Sequence, residues 1–337
     1  TRGLMANLSK PGLIESMGLR PFGLAARQTA MAIFGAEDVP PSKTGPSSLA
    51  LLSPRLGVPL WLGRAPAPRK VILTNLFNHT PTPEAVGWST LRTQVRDFRG
   101  RKQTYDSHNG TDLCIPRGTV VVAPASGQVG RVFREFNRGG LKIAIDHGGG
   151  LMTCCVHLAR ALVAEGDFVQ AGQAIAISGY SGLDGFSTFP WGIPHIHFNT
   201  WLHTTPVDPF AVGDEASLWI DGRPMPVSDE LASAAENTGF SPPTSVDDNV
   251  SEYDNAAVDA LIASCITPSA RTRLQAIGPL WQRAAHVICE RNYYPTRFPP
   301  RQLGERSVYA AHHPRAERLL MPFLARDFDG VVFRDEL

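Results

Sequence analysis

Residues 141–158 read LKIAIDHGGGLMTCCVHL, two dense apolar runs of strand length joined by three consecutive glycines. β-Branched residues fit a pleated surface, whereas a glycine triplet breaks a helix and permits a tight reversal. The same punctuation recurs on both sides, in TVVVAPASGQVGRVF (119–133), DFVQAGQAIAISGY (167–180) and IPHIHFNTWL (193–202). Short Val/Ile-rich stretches bounded by Gly-containing turns read as antiparallel β structure. We assign it to residues 70–215.

The flanks differ in character. Near the start, GLAARQTAMAIFGA (23–36) is apolar, but Arg27 and Gln28 interrupt it where a secretory core would be continuous, so it reads as a helix. Residues 39–69 are rich in Pro and Ser without a sustained period, which suits an irregular arm. The N-terminal helix and arm together make up residues 1–69. Residues 216–252, ending in polar SPPTSVDDNVSE, read as a linker. Residues 253–337 read as helical: NAAVDALIASCI and SARTRLQAIGPLWQRAAHVICERNYY place apolar residues three and four apart, with Asn255 and Ser269 as caps.

Composition narrows the function classes. The chain has 337 residues, 43% of them hydrophobic, enough for a substantial core. Its 32 Lys and Arg against 31 Asp and Glu leave no broad cationic face for nucleic acid. No apolar run reaches the roughly 18 residues of a membrane span. Five cysteines, an odd number with no CxxC, argue against a disulfide framework. Function must therefore come from a local site.

Candidate chemistry lies in the β-rich region. In PHIHF, His195 and His197 alternate with Ile196 and Phe198, so on a strand both imidazoles share one face. The pair could chelate one ion or supply one ligand and one base, and the spacing does not choose between them. In HNGTD, His108 and Asp112 would lie roughly 13 Å apart on a straight strand, so ligation of one ion requires a bend at Gly110. With that bend, His108, Asp112 and His197 make three ligands, the number that leaves a catalytic zinc one open position. His157 follows an alternating run as a further polar group on this sheet, His147 reads as structural beside a turn, and His203 is a rival ligand. GYSGLDG lacks the second glycine of GxSxG, which excludes that serine-hydrolase elbow.

The ordered set HNGTDL, VVAPASGQVGRV, IAIDHGGGLMTCCVHL, GDFVQAGQAIAISGYSG, PHIHF and VDPF resembles the lysostaphin-type, or LytM-type, zinc metallopeptidases across roughly residues 70–212. The resemblance implies a compact antiparallel β-sheet, LytM-like with duplicated-hybrid-motif character, here joined to a helical C-terminal region. It implies one Zn²⁺ per chain on His108, Asp112 and His197, with His157 and His195 as catalytic histidines. It also implies peptidoglycan peptides as substrate and action in the bacterial periplasm or outside the cell. No HExxH occurs, so the glutamate base of that helix is unavailable and histidine must carry protons.

Three departures from the family pattern stand out. Cys155 takes a place commonly held by tyrosine, and Cys114 shares the nominal face of Asp112, so either thiol could tune the metal. LDGFSTFPWGI (183–193) is long and offers Phe186, Phe189 and Trp191 to line a groove. Two alternatives remain at this stage: a noncatalytic peptidoglycan-binding or regulatory module, which would not retain stoichiometric zinc, and a zinc hydrolase of another peptide or amide. In the latter the C-terminal helices would recruit a protein partner. The arm's position before the β region also makes it a candidate cover for the groove.

Overall fold

The computed structural model describes residues 9–65, 69–80, 82, 83, 86–228, 230, 252–302 and 306–337. The glycine triplet does what its sequence requires: Gly148, Gly149 and Gly150 have φ of +68°, +58° and +74°, which turn β5 (Gly140–Asp146) back onto β6 (Leu151–Ala161). Around this hairpin stand β2 (Thr111–Cys114), β3 (Val120–Val122), β4 (Gly127–Glu135), β7 (Phe168–Val169), β8 (Ala174–Ser178) and β9 (His195–Leu202). Their order is β2-β9-β6-β5-β4-β7, all antiparallel, with β8 joining β6 to β3. The predicted β-rich centre is therefore one sheet.

Strand β6 is buried on both faces, which explains its lack of polar alternation. Leu151, Cys155 and Leu158 enter a core with Ile143, Ile196, Phe198, Trp219 and Phe323. Met152, Cys154 and Val156 face the other way, onto Ala284, Val287 and Ile288 of a C-terminal helix. All five cysteines are buried and unpaired.

The C-terminal helices are α5 (Asn255–Ala263), α6 (Pro268–Gln275) and α7 (Leu280–Tyr293), following α1 (Leu13–Ser16), α2 (Phe22–Phe34), α3 (Pro54–Trp61) and α4 (Leu183–Thr188). The predicted caps shift by one or two residues. Asp254, not Asn255, caps α5 by accepting the Ala257 N–H, and Thr267 precedes α6 because Pro268, lacking an N–H, suits the first helical position. Gly278-Pro279 breaks the second apolar run into α6 and α7, since proline cannot continue a helix ladder.

Several local features differ from the sequence reading. The Pro-rich arm carries a 3-10 turn at Pro46–Leu51 and the helix α3, with Pro54 at its first turn. Within the stretch read as linker, Leu218 and Trp219 are buried in the main core, and β11 (Pro226–Val227) pairs with β12 (Met321–Leu324). Residues 231–251 lie outside the described residues. After the helices, β13 (Val331–Phe333) adds in parallel to β1 (Val71–Leu73), which pairs with β2, and β10 (Thr205–Pro206) extends β9. Both chain flanks thus brace the strand that carries Asp112.

Candidate metal centre

Antiparallel pairing of β2 with β9 sets Asp112 opposite His197 and Cys114 opposite His195. Residues facing each other across a ladder are the nearest cross-strand neighbours, so register alone brings the carboxylate to the second histidine of HxH. His108 arrives through the expected departure from strand geometry before β2. A Cβ on Gly110 would lie 2.7 Å from the Phe198 carbonyl oxygen and 2.8 Å from His197 Nε2, so only glycine allows that approach.

The three proposed ligand atoms form a small triangle. His108 Nε2 is 3.0 Å from Asp112 Oδ1 and 3.1 Å from His197 Nδ1, and His197 Nδ1 is 2.9 Å from Asp112 Oδ1. Each remaining polar atom is engaged elsewhere. His108 Nδ1 donates to the Leu76 carbonyl at 2.6 Å, and Asp112 Oδ2 accepts from Asn75 Nδ2 at 2.7 Å. His197 Nε2 lies 3.3 Å from Asn109 Oδ1 and 3.1 Å from Asn199 Nδ2, and it donates to the former when Nδ1 is the ligand. Because a carbonyl oxygen only accepts, the bond to Leu76 places the His108 proton on its outer nitrogen, and the Asn109 oxygen accommodates the same placement in His197. Three lone-pair atoms then converge with no hydrogen between them, an arrangement that fits a cation. A tetrahedral ion with bonds of ~2.0–2.1 Å spaces its ligands about 3.3 Å apart, close to the observed separations. Among the described residues, these three form the only cluster of His, Cys, Asp or Glu with metal-ligand spacing.

The carboxylate of that donor set is held ionised by positive charge on its neighbours, the charge that a bound cation would supply. Burial would raise the Asp112 carboxyl, but the imidazoles of His108 and His195, and its contacts with His108 and His197, hold it well below the usual carboxylate range. Burial lowers His197 to about 4 against the opposing pull of Asp112, which keeps it neutral and able to ligate.

His195 and His157 stand beside the triangle. The His195 Nε2 atom lies 3.5 Å from Asp112 Oδ1, while its Nδ1 donates to the Ile193 carbonyl at 2.6 Å. His157 donates from Nδ1 to the Ser181 carbonyl at 2.8 Å, and its ring meets His195 at 4.8 Å in a T-shaped pair. Its φ of +65° is unusual for a residue with a Cβ. That conformation coincides with register shifts in the pairing of β6 with β5 and with β8. Burial and the adjacent His195 hold His157 neutral, well below its ordinary value. Both histidines therefore keep Nε2 as the nitrogen not tied to a backbone carbonyl.

The remaining sequence candidates fall as follows. His203 is not a ligand: it leaves the strand at φ +48°, stacks on His312 at 4.4 Å and bonds the His313 carbonyl. His147 is buried between the Ser126 carbonyl and Thr153, with burial lowering it to about 3, as a structural histidine. Cys114 contacts Thr74 Oγ1 at 2.9 Å, and burial pushes its thiol up. Cys155 packs in the main core, its thiol pushed up to about 12 by burial. Neither cysteine belongs to the ligand cluster.

A cavity of roughly 440 Å³ opens onto Asp112, His157 and His195. Its walls include Asp184 and Thr188 of α4 and, from the N-terminal arm, Ser48, Leu49 and Leu52. Phe186, Phe189 and Trp191 are half exposed on the same segment, with Phe189 edge-on to Trp61 at 5.1 Å. A second cavity of roughly 260 Å³ reaches His108 and Asn109 and is bounded by Trp88, Arg138, Tyr293 and Arg301.

Sequence reasoning missed the support that α7 gives. Tyr293 donates to Asn199 Oδ1 at 2.8 Å, and Asn199 Nδ2 donates to the carbonyl and the side-chain oxygen of Asn109 at 2.9 and 3.0 Å. The same Asn109 oxygen takes the His197 proton. A C-terminal tyrosine thus fixes a ligand's orientation through two asparagines. Only Asn199's place two residues after His197, on the same strand face, could have signalled part of it.

Residues 106–209 match Peptidase family M23. An uncharacterized metalloprotease of Haemophilus influenzae is 34% identical over 105 residues, covering 31% of this chain and 21% of that protein. The peptidoglycan DD-endopeptidase ShyB of Vibrio cholerae is 36% identical over 102 residues, covering 30% and 22%. Lysostaphin of Staphylococcus staphylolyticus is 36% identical over 107 residues, covering 30% and 21%. The chain spans about a fifth of the length of each of these relatives. The chain therefore contains, at residues 106–209, a domain of the M23 peptidase family.

Proposed function

We propose that this chain is a zinc metalloendopeptidase that cleaves peptide bonds in bacterial peptidoglycan, acting in the periplasm or beyond. The observation that carries the reading is the convergence of three lone-pair atoms, from His108, Asp112 and His197, beside two further histidines on one open cavity. His108, Asp112 and His197 are the ligands for one Zn²⁺. When bound, the ion supplies a Lewis acid for the scissile carbonyl and an acidified water.

The protein's own groups then handle protons. In their neutral forms His195 and His157 both offer Nε2 as an acceptor, so the pair starts as bases. His195, next to Asp112, takes the proton from the attacking water. His157, disfavoured as a cation by burial, does not keep a proton, so one received from His195, whose ring it meets at 4.8 Å, passes on to the leaving amine. The backbone carbonyls of Ile193 and Ser181 fix both rings throughout. Phe186, Phe189 and Trp191 lie outside the cavity wall on the segment of Asp184 and Thr188, where their exposed rings are available to substrate beyond it.

Metal analysis and digestion test this reading together. Zinc-dialysed protein is expected to hold one zinc per chain and to release soluble fragments from purified peptidoglycan. His108→Ala should lose both properties. A fully active enzyme without bound metal would overturn the proposal.

A further inference from the structure

The 260 Å³ cavity beside His108 and Asn109 contains an unmatched charge. Arg138, in the turn between β4 and β5, is only 9% exposed, and its Nε is buried without an acceptor. Its Nη1 has only long contacts, 3.4 Å to the Asn137 carbonyl and 3.5 Å to Ser42 Oγ. No carboxylate oxygen lies within ion-pair distance of it among the described residues. The guanidinium is instead placed 5.8 Å from the ring centroids of both Trp88 and Tyr294. Of the nearest acids, Glu135 is paired with Lys142 at 3.2 Å, and Asp184 belongs to the other cavity. A guanidinium stays protonated in proteins, so burial here leaves a cation lacking its counter-ion.

The placement relates this cation to the reacting groups. The carbonyl of Gly139, the next residue, accepts the His157 N–H at 3.0 Å. The cavity runs from Arg138 to His108 and Asn109, and it also holds Arg301, with Asp106 as the acidic residue of its wall. Asp106 is already occupied by the N–H and hydroxyl of Thr93. The cavity across the ligand triangle has the opposite character, with Asp112 and Asp184 in its wall and neither Lys nor Arg. Charge therefore distinguishes the two sides of the site.

We infer that Arg138 is a carboxylate-binding residue, and that the site takes peptides bearing a carboxylate on the Arg138 side of the scissile bond. Planar guanidinium and carboxylate match in bidentate geometry, and desolvation by Trp88 and Tyr294 strengthens the pairing. The inference rests on the peptidase reading for its substrate class but not for its test. The carboxylate can be a chain terminus or an acidic side chain.

Calorimetric titration of the full chain separates these cases with three probes: acetyl-trialanine, its C-terminal amide, and the amide of acetyl-Ala-Glu-Ala. At least one carboxylate probe should bind about tenfold more tightly than the neutral amide. Preference for the first identifies a chain terminus, and preference for the third an acidic side chain. Arg138→Gln should reduce the preference to about twofold or less while leaving the neutral amide's affinity unchanged. If that variant does not fold, competition by sodium acetate decides, since it should displace the carboxylate probe and not the amide. Equal affinities, no binding by any probe, or a preference that survives Arg138→Gln would overturn the inference. Carboxylate-dependent binding by a chain that cuts no peptide would sink the peptidase reading alone.

Discussion

Replacing Tyr293 with phenylalanine removes one hydroxyl and little else. The ring is held edge-on by Phe133 at 5.5 Å and Trp201 at 5.9 Å, so its packing survives the change. The main loss falls on Asn199, a fully buried residue whose Oδ1 accepts the tyrosine hydroxyl at 2.8 Å, with a weaker contact to Cys154 Sγ at 3.3 Å going with it. Leaving a buried acceptor without its donor costs about 1–3 kcal/mol. Part of that cost returns if the Asn199 amide rotates, but rotation releases Asn109, which holds the outer nitrogen of His197. Loss of such outer support at a metal-binding histidine typically weakens metal affinity about 10- to 100-fold. Competition against a chromophoric chelator should therefore show the zinc Kd of Tyr293→Phe rising by about tenfold or more. Tyr309→Phe is the control, because the Tyr309 hydroxyl is buried and makes no hydrogen bond among the described residues. If Tyr293→Phe unfolds more easily yet binds zinc like the parent, the relay from α7 to His197 is refuted and Tyr293 serves stability alone.

Two further predictions concern other parts of the fold. Gly110→Ala forces a methyl within 3 Å of the Phe198 carbonyl and His197 Nε2, so zinc binding should fail in a chain that still shows the β-sheet signature by circular dichroism; normal zinc affinity would contradict the close approach. Asp146 is raised from 3.8 to about 7 by burial and by Glu252, and its carboxyl accepts from Gly148 and Tyr253. The folded chain therefore holds a proton there that the unfolded chain releases at lower pH, so this group's contribution to stability declines as pH rises from about 4 to about 7. Asp146→Asn removes the decline, so its stability in urea relative to the parent should improve between pH 5 and pH 8. The gap between the two values sets an upper limit of about 4 kcal/mol, and a difference independent of pH would refute it.

The sequence made the site's constituents legible more readily than its support. Period-two placement of His195 and His197 and the need for a bend at Gly110 follow from local geometry, and the structure places these three residues accordingly. His157 needed more, because its φ of +65° and the register shifts around it arise from pairing with two other strands. His203 shows the converse: nominal strand parity put it on the ligand face, but the chain leaves β9 just before it. The parallel addition of β13 to β1 and the burial of Trp219 are contacts between distant segments with short, ambiguous patterns. Tyr293 illustrates the limit well. Helical spacing placed it on an apolar face, but its bond to Asn199 spans 94 residues and has no local signal.

Mass spectrometry of muropeptides tests the central claim most directly. Purified peptidoglycan would be digested with the zinc-loaded chain, with a chelated sample and with His195→Ala, which retains all three proposed ligands. The account predicts that cross-linked species disappear only with the intact, metal-loaded chain, while His195→Ala binds zinc and leaves them uncut. Cross-links that persist with the metal-loaded parent, or cleavage undiminished in His195→Ala, would contradict it.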